Sequence, residues 1–205
     1  MDTINKLTEL FAQFPGIGPR QARRFVYYLL VQDRTKIDYF TYLVQNLRKE
    51  VRVCELCYRF FIKGSATFCS VCADPNRDRS SLMIVATDAD LDAMQKAGAF
   101  EGYYFVLGGL IPILEREPEK IVRLRELAER IEREASAGTL KEIIFALSAN
   151  AEGDYTADFI RRDQIGRLAE ASGIKLSLLG RGLSTGTELE YSDADTLKNA
   201  LKNRT

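Results

Sequence analysis

Four cysteines constrain this chain more than any other feature. Cys54 and Cys57 form one Cys-x2-Cys pair, Cys69 and Cys72 another, and eleven residues separate the pairs. A Cys-x2-Cys turn points two sulfurs at one spot, and two such turns supply the four ligands of a tetrahedral structural Zn2+. A site closed by four thiolates keeps no position for water. It staples a small module and performs no chemistry of its own. The alternatives are two disulfides, buried free thiols or a redox pair. Disulfides belong to secreted chains, and the N-terminus, Met1-Asp2-Thr3, carries no signal-peptide pattern. A redox site needs only one of the two pairs.

Composition narrows the function by what it lacks. The 205 residues include no histidine, which removes histidine acid–base catalysis, Ser–His triads and histidine metal ligands. No apolar run approaches membrane-spanning length, so no membrane role and a cytoplasmic location are expected. The 29 basic and 29 acidic residues cancel overall but not locally. Residues 1–79 carry a balance of +5 and residues 80–205 one of −5. The front suits nucleic-acid phosphates; the back suits a metal or a basic partner.

Residues 4–14 place Ile4, Leu7, Phe11 and Phe14 at helical spacing, and Phe14-Pro15-Gly16-Ile17-Gly18-Pro19 then stops the helix. A second helix over about 20–30 carries Ala22, Phe25, Val26 and Leu29 on its apolar face. This pair resembles the helix-hairpin-helix DNA-binding motif. Gly16, Ile17 and Gly18 leave backbone N–H groups uncovered at a helix N-terminus, where a phosphate oxygen can sit. Arg20, Arg23 and Arg24 add charge-assisted bonds. Such binding ignores base sequence and weakens with salt. The plainer alternative is an αα-turn whose arginines face solvent. Residues 37–50 continue as a helix, with Phe40, Leu43, Val44 and Leu47 expected inward, and Arg59 and Lys63 fall in the cysteine loop.

Beyond Arg79 the periodicity changes. Runs at 82–85, 103–107, 143–147 and 174–179 read as short strands, most of them apolar on both faces as buried parallel strands are, separated by helical patterns over about 89–97, 118–135 and 156–172. The middle helix is expected to bury Ile121, Leu124, Leu127, Ala128 and Ile131. This alternation argues for a parallel sheet covered by helices. A glycine-rich loop follows at 180–186, then a candidate strand at 188–191. Asp193 is placed to cap a last helix over 194–202, with Leu197 and Leu201 on its apolar face.

The order of parts resembles one bacterial family, the recombination mediators called RecR, over nearly the whole chain. Its marks are the 14–19 hairpin, the cysteine pairs, residues 74–79, Val106-Leu107-Gly108-Gly109, Asn150-Ala151-Glu152-Gly153-Asp154 with Thr156, Arg181-Gly182-Leu183 and Glu188-Leu189-Glu190-Tyr191. The resemblance implies an α/β multi-module protein. A helix-hairpin-helix DNA-binding region spans 1–53, a four-cysteine zinc module 54–79, a Toprim-like parallel-sheet domain 80–175 and a C-terminal ring-assembly segment 176–205. It also implies no enzymatic activity and a ring-shaped homo-oligomer, a tetramer, that encircles DNA. With RecO, and in many bacteria RecF, the ring loads RecA recombinase onto single-stranded DNA at gaps.

Two departures stand out. The eleven residues between the cysteine pairs exceed the family's usual number, which costs little because loop closure grows slowly with length. Toprim catalysis also needs an acid at the end of the first strand, where this chain has Ala86 or Thr87. Asp88 and Asp90 follow, and Glu152 and Asp154 match the second Toprim acidic cluster. These four are candidates for a weakly held Mg2+ or a basic surface of RecO, against the plainer alternative of a solvated loop. The competing function is a Mg2+-dependent nuclease or primase-like Toprim enzyme using the same four acids.

Overall fold

The structure, a computed structural model, describes residues 2–62, 64, 66–180, 182–183, 186 and 188–202. Lys63 and Arg181, both singled out in the sequence, lie outside the described residues. The chain divides into two compact units, 1–52 and 53–205.

The first unit is helical. Helices α1 (Thr3–Ala12) and α2 (Pro19–Leu30) pack on each other, and α3 (Arg34–Glu50) follows. Asp2 caps α1 by accepting from the Asn5 N–H at 2.8 Å, and Asp33 caps α3 by accepting from the Lys36 N–H at 3.0 Å. Ala22 and Val26 are buried in the α1–α2 seam, and Phe11 meets Phe25 edge to face at 5.8 Å. The expectation for α3 is overturned. Phe40 (46% exposed) and Leu47 (61%) face outward with Leu43 and Val44, and no residue of α3 is buried. The apolar spacing is real, but α1 and α2 use their apolar stripes on each other, which leaves the α3 stripe uncovered.

At the junction of the units, β1 (Val51–Val53) pairs with β2 (Phe60–Ile62) in a small sheet beside the first cysteine pair, and α4 (Ser70–Ala73) begins just after Cys69 and carries Cys72. The main sheet contains β3 (Asp78–Val85), β4 (Gly102–Val106), β5 (Glu142–Ala146) and β6 (Lys175–Leu178). Its order is β4-β3-β5-β6, all parallel, with Leu82 opposite Tyr103 on one side and Ile143 on the other. Helices α5 (Asp88–Ala97), α6 (Leu124–Ser136), α7 (Ala151–Arg162), α8 (Gln164–Ala171) and α9 (Ala194–Lys202) complete the unit.

Alternation along β3 separates two cores. Leu82 and Ile84 join Phe105, Ile143 and Phe145 beneath Leu127 and Ile131 of α6 and Ile160 of α7. Met83 and Val85 join Tyr104, Val106, Leu91 of α5 and all four cysteines. One face of the sheet is thus covered by helices and the other by α5 and the cysteine knuckle. This double burial explains why the strands read as continuous apolar runs.

Three helical details differ from expectation. The 118–135 pattern begins with a 3-10 turn at Pro118–Lys120, so α6 starts at Leu124 and Ile121 stays exposed. The 156–172 pattern starts earlier and breaks at Asp163, whose extended backbone separates α7 from α8. The 188–191 run forms a 3-10 turn at Leu189–Tyr191, closed locally by the Tyr191 N–H on the Glu188 carbonyl at 3.1 Å. Asp193 caps α9 as its sequence suggests, accepting from the Thr196 N–H at 2.9 Å, but Leu201 is exposed.

Thr156 pins the loop after β4 to α7. Its fully buried hydroxyl accepts from the Ile111 N–H at 2.8 Å and donates to the Glu152 carbonyl at 2.7 Å. Thr156→Val leaves a buried N–H unpaired and is expected to cost about 1–3 kcal/mol, read from urea unfolding.

Candidate metal centre and nucleic-acid interface

The sulfurs of Cys54, Cys57, Cys69 and Cys72 all lie within 4.8 Å of one another, and all four residues are buried. None is in a disulfide. Local hydrogen bonds shape the first turn. The Tyr58 N–H donates to the Cys54 carbonyl and the Cys54 N–H to the Arg59 carbonyl, each at 2.9 Å. Tyr58 adopts φ +60°, which is uncommon without glycine. Its ring is held against Phe105 at 5.3 Å and beneath the Arg123 guanidinium. In the second turn Cys69 precedes α4, and its carbonyl accepts from the Ala73 N–H.

Crowding sets the protonation of the cluster. Hydrogen bonds from Cys57, then Cys69 and Cys72, stabilise the Cys54 thiolate and hold it far below the ordinary thiol range. Cys72 is pushed far up, chiefly by its bond to Cys54 and then by those to Cys57 and Cys69. Four thiolates need a cation to coexist in so small a space. Zn–S bonds of about 2.3 Å in a tetrahedron put sulfurs about 3.8 Å apart, so this cluster fits a metal of that kind.

Around the cluster, the knuckle is built into the sheet. The Val106 N–H donates to the Cys57 carbonyl at 2.8 Å. Arg130, with a side chain 3% exposed, reaches from α6 to the carbonyls of Leu56 at 2.6 Å and Tyr104 at 2.9 Å. Arg59 pairs with Asp92 at 2.6 Å and donates to Gln95, both on α5. The sequence marks Arg59 only as a loop cation, and nothing in its neighbourhood signals these α5 partners.

The acidic candidates have individual fates. Asp88 accepts from the Phe60 N–H at 2.7 Å. Asp90 closes the capping box of α5, accepting from the Thr87 N–H at 2.9 Å while Thr87 Oγ1 accepts from the Asp90 N–H. Glu152 is exposed in the first turn of α7, followed two residues on by Asp154. Between them Gly153 is required by close approach, because a Cβ there would collide with the Ser148 carbonyl. Among the described residues, these four acids do not come together as a metal-binding group, whereas the cysteines do. Of the two positions where the sequence looks for a Toprim acid, Ala86 is buried just after β3 and Thr87 caps α5. The strand order reverses at β3, so the carboxyl ends of β3 and β5 flank a topological switch point.

In the first unit, the hairpin turns at Gly16, whose φ of +74° favours glycine, and closes with the Ile17 N–H on the Phe14 carbonyl at 3.0 Å. Gly18 is the N-cap of α2 with no side chain to cap it, and Pro19 opens the helix. A Cβ built on Gly16 or Gly18 would meet nothing within 4 Å. The turn is therefore open to a ligand that approaches the backbone. Arg20, Arg23 and Arg24 are all exposed. Arg23 donates to Asn5 at 3.2 Å and Arg24 to Gln21 at 3.4 Å, both long bonds.

Comparison with known proteins agrees with this arrangement. Three family models match: "RecR, helix-hairpin-helix" over residues 4–48, "Toprim domain" over 80–179 and "RecR, C-terminal" over 182–205. A protein of Bacteroides thetaiotaomicron named recombination protein RecR is 36% identical over 202 residues, 98% of this chain and 93% of the relative. Proteins with the same name from Syntrophobacter fumaroxidans and Legionella pneumophila are 34% and 33% identical, covering 98% and 100% of this chain and 94% and 96% of their own lengths. No helix among the described residues is long and apolar enough to cross a membrane.

Replacing one sulfur tests the centre. Cys54→Ser is expected to drop the metal content of purified protein from one per chain towards zero. It should lower Tm by at least about 5 °C, since 1 kcal/mol moves Tm by about 2–4 °C in a chain of this size. Elemental analysis and calorimetry read the two effects.

Proposed function

Because this chain belongs to the RecR family of recombination proteins, we propose that it is a non-catalytic recombination-repair mediator. It binds DNA without sequence preference, assembles as a ring-shaped tetramer and works with RecO, and RecF where present, to load RecA at single-stranded gaps in the cytoplasm. The observation that carries the DNA contact is the uncovered turn at Gly16, Ile17 and Gly18, followed by an uncapped helix N-terminus and three exposed arginines. Backbone N–H groups at such a terminus favour a phosphate oxygen, and Arg20, Arg23 and Arg24 add charge.

The cysteine centre holds Zn2+ as a structural staple in this reading. When bound, the ion neutralises thiolate charge and fixes the two turns. The absence of catalysis is supported at Ala86, which cannot act as acid or base. It is supported again at Asp88 and Asp90, whose carboxylates hold the Phe60 N–H and the α5 cap. Glu152 and Asp154 serve a basic surface of RecO or hold Mg2+ weakly through water.

Oligomerisation is supported by the uncovered α3 stripe. Phe40, Leu43, Val44 and Leu47 lie at helical spacing along one face of α3 and are all exposed, a stripe that a second subunit can cover. A single hairpin offers few phosphate contacts, so several in one ring gain by effective concentration.

Arg20→Ala with Arg23→Ala is expected to weaken binding to any DNA sequence. The salt dependence of log K should flatten by about one to two, one for each phosphate that is no longer neutralised. Fluorescence anisotropy at several salt concentrations measures both, and unchanged affinity rejects the hairpin assignment. Leu43→Glu with Leu47→Glu is expected to reduce the mass seen by light scattering and to weaken DNA binding even with the arginines intact.

A further inference from the structure

A cavity of about 290 Å³ lies between the cysteine knuckle and α6, within the 53–205 unit. Arg79, Arg130, Arg133 and Glu134 line it, with Leu56 and Tyr103 among the apolar walls. We propose that this cavity binds a phosphate group carried by a nucleotide.

Three guanidiniums line the cavity against one carboxylate and, at Cys72, the edge of the cysteine centre. Glu134 accepts from Arg130 Nε at 2.8 Å, which leaves it little capacity to neutralise Arg79 or Arg133. The Arg130 side chain is almost wholly buried. Its Nη1 donates to Leu56 and Tyr104, but its Nη2 carries no hydrogen bond among the described residues. That nitrogen is open to the cavity and not sealed without a partner, so it is available to a bound acceptor. Arg79 and Arg133 are exposed, and among the described residues neither side chain makes a hydrogen bond or an ion pair. Three forks with free donors therefore border one space.

Phosphate fits them better than carboxylate. It presents oxygens in several directions, so more than one guanidinium can bond it at once. The cavity is near the lower end of small-ligand sites and exceeds what a bare phosphate fills. Leu56 and the Tyr103 ring offer an apolar ledge for a base or sugar beside the anion, the combination used for single strands.

The proposal rests on the nucleic-acid reading above and adds a second contact outside the hairpin. One phosphate chemistry has two sources here, a strand phosphate or a free nucleotide. The experiment uses the full chain with Arg20→Ala and Arg23→Ala, which weakens the hairpin contribution. Calorimetric titrations compare a 5′-phosphorylated oligothymidylate, free dTMP and an oligoglutamate peptide, with and without Arg79→Ala and Arg133→Ala. Both added substitutions fall on exposed side chains that anchor no element, and unchanged metal content checks the fold.

We expect residual oligothymidylate affinity to fall at least about tenfold when Arg79 and Arg133 are removed. Binding of dTMP with the same loss identifies a free nucleotide as the source; binding of the strand alone identifies a strand phosphate. Three results overturn the proposal: no phosphate probe binds, removal of the arginines leaves binding unchanged, or oligoglutamate binds better than either nucleotide probe. If Arg20→Ala and Arg23→Ala leave DNA affinity intact while Arg79→Ala and Arg133→Ala abolish it, the hairpin assignment fails and this one stands.

Discussion

The outer edge of β4 is the constraint on which the second unit depends. An edge strand in a parallel sheet leaves a row of carbonyls and N–H groups without a neighbouring strand. Here groups on that row are taken by something other than a strand. The Val106 N–H bonds the Cys57 carbonyl, the Tyr104 carbonyl accepts from Arg130, and the Val106 carbonyl accepts from Arg123 at 2.8 Å. Arg130 is central to this arrangement because the same nitrogen also holds the Leu56 carbonyl. Its pairing with Glu134 runs Arg before Glu along the helix, the weaker orientation for helix stability. That fits a side chain placed for its reach to the knuckle more than for α6 itself.

From this edge follows the role of the cysteines. The knuckle is the lid on one face of the sheet, sharing a core with Met83, Val85, Tyr104 and Val106. A metal there would stabilise more than its own two turns. It would fix the Cys57 carbonyl that finishes β4 and the Arg59 and Phe60 groups that receive the acids of α5. Structural metals transmit folding free energy to whatever their ligands hold in place.

The same contacts bear on chemistry. Two of the acids that a Toprim enzyme would direct at a metal are bound into the frame: Asp88 to β2 and Asp90 to the start of α5. Asp88 uses Oδ1 on the Phe60 N–H and Asp90 uses Oδ2 on the α5 cap, so each is oriented by the frame. The architecture retains the switch point of a parallel sheet while redirecting part of its acidic side chains to packing. In the proposed reading, that redirection turns a nucleic-acid enzyme fold into a platform.

Much of this was legible in the sequence because it depends on local rules. The spacing of Cys54, Cys57, Cys69 and Cys72 announced one four-sulfur site, and the Pro-Gly-Ile-Gly run announced a turn between α1 and α2. The apolar runs announced parallel strands, buried in β3 and β4 but half exposed in β6, and Asp193 announced the start of α9. The limits of local rules appear at α3 and Arg130. A periodic stripe such as Phe40, Leu43, Val44 and Leu47 says which residues share a helix face, but only tertiary packing decides whether anything in the same chain covers it. Arg130 sits 74 residues from the Leu56 carbonyl it holds, inside a helix rich in interleaved Glu and Arg. No periodicity marks an arginine as buried, because its burial depends on acceptors that other segments bring to it. The sequence by itself determined the hairpin, the strand–helix alternation, the four-sulfur centre and the family. The tertiary structure alone decided which charges hold the frame together and which remain free to meet a ligand, since that choice rests on distances between residues far apart in the chain.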